Sequence, residues 1–272
     1  MRDMPCHPGG EFGTSLSIES KVCVIIQLYY KNKVAFDFCI GQAQKFCEDI
    51  GITLIVLVPA QFYESYTNSL TCNVEQYSED LGFNRNLACL VGKIQFDYVI
   101  LGFDDIFLKR WDANALMDLL HNAIANNFAY LRLTRRPPSL GDVTKIGGYS
   151  VKKVSFSEVY QASLVYSLMK ASVLKNILES YEDPWSIERY YAMSAHDKAY
   201  STDLALIDWK NILVKSKLDY FECFMLPESE NLLSDSAFDQ VYDFKRHIYK
   251  LATQFLCSYF PNLYHFIKRR QR

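Results

Sequence analysis

Two adjacent carboxylates, Asp104 and Asp105, directly follow a continuous apolar segment of the chain. From Tyr98 to Phe103 every residue is apolar or glycine, which is typical of a strand covered on both faces of a parallel sheet. Open α/β sheets bind ligands at the carboxyl ends of such strands, and two oxygen donors there suit a hard divalent cation that carries phosphates. Because Asp pairs also form turns at strand ends, a capped turn is the alternative interpretation.

A second set of carboxylates surrounds a Pro and a Trp in the segment EDPWSIE, residues 182–188. Pro184 and Trp185 stand at a predicted helix start, and three flanking acids are unusual there for a plain surface turn. We interpret Trp185 as a platform for a sugar ring and Glu188 as a general base. A hydrophobic staple with solvated acids is the alternative.

Three arginines, Arg132, Arg135 and Arg136, lie on or just beyond a strand predicted for residues 129–133. Guanidinium groups bind phosphate oxygens with paired hydrogen bonds, which makes the cluster a candidate phosphate clamp. A solvated charge cluster is the alternative.

The apolar pattern predicts the strands and helices that position these residues. Residues 21–30 and 52–58 are rich in β-branched and aromatic side chains and predict two strands. Between them, apolar residues recur at helical spacing from Phe36 to Ile50, and Gly51 follows as a stop signal. We therefore expect a βαβ unit with parallel strands and a right-handed crossover.

Later segments continue the alternation of helices and strands. A helix from Asn84 leads into the strand before the acid pair, and Asp112 is the expected N-cap of the helix after it. Residues 60–83 lack a clear period and predict a long loop that contains at most one short element. Residues 141–150 predict a polar loop that moves, and residues 151–166 predict one or two β segments.

The end of the chain combines an amphipathic helix with a basic terminus. Apolar residues recur at helical spacing from Phe238 to Phe255, and Pro261 interrupts the helix before a cluster that begins at Lys268. Aromatic side chains beside basic ones are typical of interfacial helices, so we expect the C-terminus to touch an anionic membrane surface. A helix that closes the core and carries a solvated tail is the alternative.

Composition argues against several classes of protein. The chain has 272 residues, half of them hydrophobic, and its net charge of −2 provides no basic field of the kind that nucleic-acid-binding proteins carry. None of the eight cysteines belongs to a C-x-x-C pair, which argues against a zinc site and predicts reduced thiols in a cytoplasmic protein. The apolar runs are shorter than the ~20 residues of a membrane span.

Several short motifs occur in a recognisable order. They are QLYYKN (27–32), RN (85–86), YVILGFDDIF (98–107), SL through Lys170 (163–170) and EDPWSIE (182–188). Through these motifs residues 21–195 resemble the GT-A type nucleotide-sugar glycosyltransferases. More narrowly, they are similar to a bacterial branch whose strand ends in D-D-x-F rather than D-x-D.

The resemblance implies an α/β fold of the GT-A, Rossmann-like type, with a mixed sheet flanked by helices. It divides the chain into a flexible leader (1–19), a nucleotide-sugar-binding and catalytic domain (20–200) and a helical C-terminal extension (201–272). The implied reaction moves a sugar from a nucleotide-diphosphate donor to a glycan or lipid-linked acceptor, with inversion, in surface polysaccharide synthesis. The implied location is the cytoplasm or the inner face of the membrane.

The same resemblance implies roles for individual residues. Asp105 would hold Mn²⁺ or Mg²⁺, and Asp104 would contact the ribose or the donor sugar. Glu188 is the implied general base, with Asp183 in reserve. The remaining implied contacts are Gln27, Tyr29, Asn86 and Arg132 to the donor, and Ser163 and Trp185 to the acceptor.

Two sequence features keep other functions open. Members of the family carry an acid at the end of the second strand, whereas here that strand runs into Val58-Pro59-Ala60-Gln61. A catalytically silent scaffold of the same fold is therefore one alternative. A nucleotidyltransferase is the other, although it would carry a Gly- and Arg-rich phosphate loop where residues 28–32 contain no glycine.

Overall fold

The computed structural model describes residues 18–29, 32–77, 81–135, 137–214, 217–219, 226, 240–241 and 244–270. The predicted leader lies outside the described residues as far as position 17, and Arg136 lies outside them as well. Ile18, the first described residue, is buried in the core.

Fourteen strands and eight α-helices make up the described part of the chain. The helices are α1 (Lys33–Asp49), α2 (Tyr63–Ser69), α3 (Phe83–Val91), α4 (Ala113–Ala125), α5 (Ala171–Ser180), α6 (Pro184–Tyr190), α7 (Phe244–Tyr259) and α8 (Pro261–Arg270). The first seven strands are β1 (Val22–Gln27), β2 (Thr53–Pro59), β3 (Asn73–Tyr77), β4 (Tyr98–Phe103), β5 (Ile106–Trp111), β6 (Tyr130–Arg132) and β7 (Val143–Ile146). The others are β8 (Tyr149–Lys153), β9 (Ser167–Lys170), β10 (Ala199–Thr202), β11 (Ile207–Asn211), β12 (Leu213–Val214), β13 (Lys217–Asp219) and β14 (Gln240–Val241).

Nine of these strands form one mixed sheet in the order β3-β2-β1-β4-β9-β6-β10-β8-β7. Strands β3, β2, β1 and β4 are parallel, which confirms the predicted βαβ opening. Strand β9 runs antiparallel to both β4 and β6, so the strand before the acid pair borders a parallel neighbour on one side and an antiparallel one on the other. A mixed sheet flanked by helices confirms the predicted fold class.

Both faces of the sheet are covered, which explains the continuous apolar segments of β1 and β4. Alternate residues of β1 join separate clusters: Val24 and Ile26 pack with Phe46 of α1, whereas Ile25 packs with Leu87 of α3. Each such aliphatic side chain contributes roughly 1.5–3 kcal/mol when it leaves water. The central strands are therefore held from both sides, and the residues at their ends are held with them.

The prediction of a long loop for residues 60–83 is wrong. The segment contains α2 and the strand β3, which pairs in parallel with β2 alone. Because β3 is an edge strand, Glu75 and Gln76 are exposed and the apolar period that marks an inner strand is missing.

The loop predicted for residues 141–150 is a β-hairpin. Strands β7 and β8 pair antiparallel and are joined by Gly147 and Gly148, whose φ angles are 57° and 86°. Two consecutive residues with positive φ are what a tight type I′ hairpin turn requires, and glycine adopts them without a steric cost. The connection is therefore a defined turn.

The β structure predicted for residues 151–166 ends at Lys153. The following segment is tied by Glu158, whose Oε1 accepts hydrogen bonds from Ser139 Oγ (2.7 Å), Leu140 N (3.0 Å) and Ser155 N (2.9 Å). Side-chain bonds thus take the place of a strand ladder in this segment.

The helical pattern predicted from Phe238 is wrong at its start, because Gln240–Val241 form the strand β14 and α7 begins at Phe244. The predicted interruption at Pro261 is confirmed, since α8 begins there. Short strands come before these helices, and β11 pairs antiparallel with β5, the strand that follows the acid pair. The predicted boundary at residue 200 stays a prediction, although β10 crosses it. Within the described ranges, no helix combines the length and the apolar character needed to cross a membrane.

Candidate active site

The acid pair forms the turn between β4 and β5, at the edge of the sheet where the parallel strands end. Only 6% of Asp104 is exposed, and Asp105 is half-buried. In the parallel register Gln27 of β1 lies beside Phe103, so the ends of the two strands meet next to the pair. The predicted placement at the carboxyl edge is therefore what the structure shows.

Asp104 is held by the segment that follows β1. Its Oδ2 accepts a hydrogen bond from Tyr29 N at 2.8 Å, and the side chain of Asn32 donates another. Burial and the neighbouring charge of Asp105 nevertheless raise the pKa of Asp104 to about 7, because they outweigh these bonds. A divalent cation bound at the pair would favour the ionised form.

Asp105 is held from a distant part of the chain. The Asn211 side chain donates a hydrogen bond to its carboxylate, and its backbone oxygen accepts one from Ile212 N at 3.0 Å. Burial raises the pKa of Asp105, and the Asn211 bond opposes the shift. Sequence analysis missed Asn211, since nothing in the local pattern indicates that β11 pairs with the strand after the acids.

Buried amide side chains with unsatisfied polar atoms cluster near this edge. Gln27 Oε1, Asn84 Oδ1 and both amide atoms of Asn86 have none in the described part of the chain, although each residue is at most 3% exposed. Phe83 stacks on Phe103 at 5.8 Å between ring centroids, which places the start of α3 at the end of β4. An unsatisfied buried polar group costs about 1–3 kcal/mol, and a polar ligand would remove that cost.

Tyr29 and Gln27, both predicted donor contacts, are therefore at the site together with Asn86. Tyr29 provides its backbone N–H to Asp104 and leaves its ring 42% exposed. Sequence analysis did not single out Asn84, whose Nδ2 donates to Tyr181 O at 2.8 Å and links α3 to the loop before α6.

The predicted base lies on α6. Glu188 Oε1 accepts a hydrogen bond from Leu164 N at 3.0 Å, so the structure brings Glu188 next to Ser163, a predicted acceptor contact. Burial raises the pKa of Glu188 above its ordinary range, while the Leu164 bond and the charge of Arg132 oppose that shift. A carboxylate with a raised pKa is better suited to take a proton near neutral pH.

Asp183, the reserve base, is the N-cap of α6. Its Oδ1 and Oδ2 accept hydrogen bonds from Ser186 N and Ser186 Oγ, both at 2.8 Å. These bonds lower the pKa of Asp183, which makes it a weaker base than Glu188. Trp185, one residue into the helix, is 70% exposed and offers its ring face to solvent.

Arg132 does not fit the predicted phosphate clamp. It is fully buried, and its N–H groups donate to Tyr130 Oη, Pro137 O, Tyr160 O and Gln161 O. Its Nη1 also lies 3.9 Å from Glu158 Oε2. Because its donors are used within the protein, Arg132 ties the loops after β6 and β8 together rather than reaching a ligand.

The donor set at the acid pair fits a hard cation. Within the residues that the structure describes, no group of three or more His, Cys, Asp or Glu side chains lies together in a way that could hold a metal. Two carboxylates are nevertheless enough where phosphate oxygens and water complete the coordination, as is usual for Mg²⁺. Asp105, with Asp104 beside it, would hold such an ion.

No protein-family model matches the chain, and no curated protein matches its sequence. Similar solved structures include S. aureus TarS 1-349 (14% identity, TM-score 0.43, covering 69% of this chain and 59% of that one). They also include TarS 1-349 in complex with UDP-GlcNAc (15% identity, TM-score 0.42, covering 69% of this chain and 57% of that one). A third is a nucleotidyl transferase from Methanothermobacter thermautotroptrophicus (10% identity, TM-score 0.44, covering 68% of this chain and 88% of that one).

The chain spans less than two thirds of the length of the TarS structures it matches. At these low identities and TM-scores the similarity assigns no activity.

Proposed function

We propose that the chain is a metal-assisted glycosyltransferase that moves a sugar from a nucleotide-diphosphate donor to a glycan or lipid-linked acceptor in surface polysaccharide synthesis. The observation that carries the proposal is the pair of buried Asp104 and half-buried Asp105 at the carboxyl edge of the sheet, beside buried amides that have unsatisfied polar atoms. Carboxylates suit the cation of a metal-bound diphosphate, and amides suit the hydroxyls and carbonyls of a sugar or a base.

Donor binding is the first step of the proposed mechanism. A divalent cation, Mn²⁺ or Mg²⁺, would supply charge neutralisation on the departing diphosphate. Asp105 would hold that ion, and Asp104, fixed by Tyr29 N, would accept hydrogen bonds from the ribose or the donor sugar. Gln27 and Asn86 would gain the partners that they lack in the free protein.

Proton removal from the acceptor is the second step. Glu188 would take the proton of the attacking hydroxyl in an inverting transfer, because burial raises its pKa and its position is fixed by Leu164 N. Trp185 is exposed on the same short helix and would form a wall of the acceptor site.

The metal-dependent donor site is tested with Asp105→Asn. Because the substitution removes a charge at constant size, we expect the fold to persist and the affinity for nucleotide-diphosphate sugars in Mn²⁺ to fall at least tenfold, about 1.4 kcal/mol. Calorimetry on a panel of nucleotide sugars, with Mn²⁺ or with a chelator, measures this. Asp97→Asn is the matched control, since Asp97 is exposed at the opposite end of β4.

Equal affinity in the variant, or in chelator, would show that the metal assignment is wrong. Metal-dependent binding without turnover of any donor and acceptor pair would instead support the silent scaffold. Release of pyrophosphate from a nucleoside triphosphate would identify a nucleotidyltransferase.

A further inference from the structure

The last two helices present an apolar stripe to solvent. Its members are each at least 45% exposed and recur at helical spacing on α7 and then on α8: Ile248, Leu251, Phe255, Tyr259, Phe260, Leu263 and Phe266. They are contiguous where the helices meet, because the Phe255 ring centroid lies 4.9 Å from that of Tyr259 and 5.8 Å from that of Phe260. Exposed apolar side chains on single proteins are usually scattered, so a continuous stripe marks a contact surface.

The opposite side of the two helices is fixed to the rest of the protein. Cys257 and Tyr264 are buried and pack with Val159. His265 is fully buried between Val159 N, from which its Nδ1 accepts a hydrogen bond at 3.1 Å, and Pro138 O, to which its Nε2 donates at 2.9 Å. The stripe therefore faces away from the body because the other face is already occupied.

The charge of this segment is of one sign. Residues 244–270 contain six Lys and Arg and no Asp or Glu. Two of the cations contact aromatic rings of these helices. The Arg270 guanidinium lies 4.4 Å from the ring centroid of Phe266, a member of the stripe, and Lys268 Nζ lies 5.1 Å from that of Tyr249, the residue after Ile248. An apolar face edged by long basic side chains has the composition of an interfacial helix.

The charge decides between two occupants of the stripe. Arg246 and Lys250 of α7 pair with Asp219, so the excess positive charge is concentrated at Lys268, Arg269 and Arg270 at the end of α8. A second copy of the chain would bring the same excess of cations to a twofold contact, so like charges would face each other. An anionic bilayer supplies the opposite charge and an apolar layer at the same time. We propose that α7 and α8 form a docking surface for an anionic lipid bilayer, with the stripe (residues 248–266) inserted at the boundary between headgroups and acyl chains.

A cavity of about 610 Å³ is lined both by α7 and by the β5–β11 pair. Its lining includes Lys250 and Thr253 of α7, Lys109, Lys210 and Asn211 of the strand pair, and the acid Asp208, which pairs with Arg110. Asn211 also donates to Asp105. A phosphate-bearing headgroup in the cavity would thus lie beside the acid pair, but the docking surface stands whether or not the chain is an enzyme.

Vesicle co-sedimentation of the full chain tests the proposal. Vesicles of phosphatidylcholine are compared with vesicles that also contain phosphatidylglycerol, at low and at high salt. We expect binding to the anionic vesicles that weakens as salt rises, because surface charges are then screened. Replacing Lys268 and Arg270 by Gln should weaken binding about fivefold for each charge removed.

The apolar contribution is tested separately with Phe255→Ser and Tyr259→Ser together. The expected result is at least a tenfold loss of binding with an unchanged thermal midpoint, since both side chains are exposed in the free protein. Val143→Ser is the matched control, because Val143 is 61% exposed on the distant β7–β8 hairpin and should have no effect on vesicle binding.

Equal sedimentation with the two kinds of vesicle would overturn the proposal. So would a dimer in sedimentation equilibrium that the Phe255→Ser, Tyr259→Ser double variant converts to a monomer, because the stripe would then be a contact between copies of the chain.

Discussion

The carboxyl of Asp104 combines a buried position with a neighbouring charge, and its pKa of about 7 makes the free protein sensitive to pH. The folded state binds the proton more tightly than the unfolded state, in which the carboxyl has its ordinary pKa of 3.8. The free energy of unfolding therefore falls as pH rises from about 4 to 7, and the whole loss of stability is present above pH 7. A pKa shift of this size corresponds to a loss of up to about 4 kcal/mol in the free energy of unfolding above pH 7.

Asp104→Asn should therefore stabilise the metal-free protein at pH 8. It should bring little gain at pH 4, where the Asp104 carboxyl of the folded protein is protonated and thus as neutral as the asparagine that replaces it. Denaturant unfolding in chelator at the two pH values measures the difference. Asp97→Asn, which changes an exposed carboxyl immediately before the same strand, should show no such dependence on pH. A gain that is the same at pH 4 and pH 8 would contradict the raised pKa.

Glu188→Gln should lower turnover by about a hundredfold to ten-thousandfold, because the amide cannot take a proton, and should leave donor affinity nearly unchanged. The amide oxygen can still accept from Leu164 N, so the local structure should survive. Trp185→Ala should instead raise the KM for the acceptor. Steady-state kinetics with one substrate pair separates the two effects, with Glu182→Gln as an exposed control on the same segment. Normal turnover in Glu188→Gln would show that the base lies elsewhere.

For single residues, the sequence predicted the position of those whose surroundings are formed by neighbouring residues in the chain. Asp104 and Asp105 were found because the apolar segment before them is continuous and its end is marked by the acids themselves. The environment of Arg132 depends on carbonyls of residues 137, 160 and 161, which meet only after the chain has folded. From the sequence alone, Arg132 is therefore predicted to be either solvated or available to bind phosphate.

Among the elements, β4 contains a single glycine, Gly102, at a position with little room for a side chain. A Cβ added at Gly102 would lie 2.9 Å from Ile26 Cγ1 and 3.1 Å from Tyr166 Oη. Because both neighbours are buried, Gly102→Ala should destabilise the fold by about 1–3 kcal/mol.

The matched control is Gly41→Ala, since no atom lies within 4 Å of a Cβ built there and the residue is inside α1. That variant should gain up to about 1 kcal/mol from helix propensity. Denaturant unfolding of both variants gives the comparison. If Gly102→Ala is as stable as Gly41→Ala, the strand relaxes around the added methyl group and the steric account fails.

Helices and strands with a clear periodic apolar pattern were predicted from the sequence, whereas the edge strand β3 and the strand β11 outside the main sheet were not. The β1-α1-β2 unit has two covered strands and an amphipathic helix, and each leaves a clear pattern in the sequence. Strand β3 has one neighbour and exposed polar side chains, and β11 pairs with a strand about a hundred residues earlier. Neither pairing leaves a periodic apolar signal.

For the molecule as a whole, His265 is a buried contact between the last helix and the loops around Arg132 and Glu158. Its neutral form satisfies both of its hydrogen bonds, because Nδ1 accepts from Val159 N and the proton is on Nε2. Burial is the largest cause that lowers the pKa of His265, and it outweighs the Pro138 bond and the charge of Glu158. The folded state thus binds fewer protons than the unfolded one, so the stability from this contact is present above pH 6.5 and is lost as pH falls below it.

Urea unfolding between pH 8 and pH 5 should show this loss in the natural sequence. His265→Gln should be less stable at pH 8 by about 1–3 kcal/mol, because a buried polar group is left without its partner, and should depend less on pH. His121→Gln, an exposed histidine on α4, should behave like the natural sequence. An unchanged pH profile in His265→Gln would rule out this contact as the cause.

The strand order also constrains how the chain can fold while it is being synthesised. Strand β9 is inserted between β4 and β6, and β10 between β6 and β8, so strands made early wait for partners made later. The edge of β4 that carries the acid pair at its end stays unpaired until residue 170 has left the ribosome, roughly 3 to 13 s later at about 5–20 residues per second. During that interval one edge of an apolar strand has open backbone groups, so pairing with the wrong strand of the same or another nascent chain competes with the native pairing until residues 104–170 have been made.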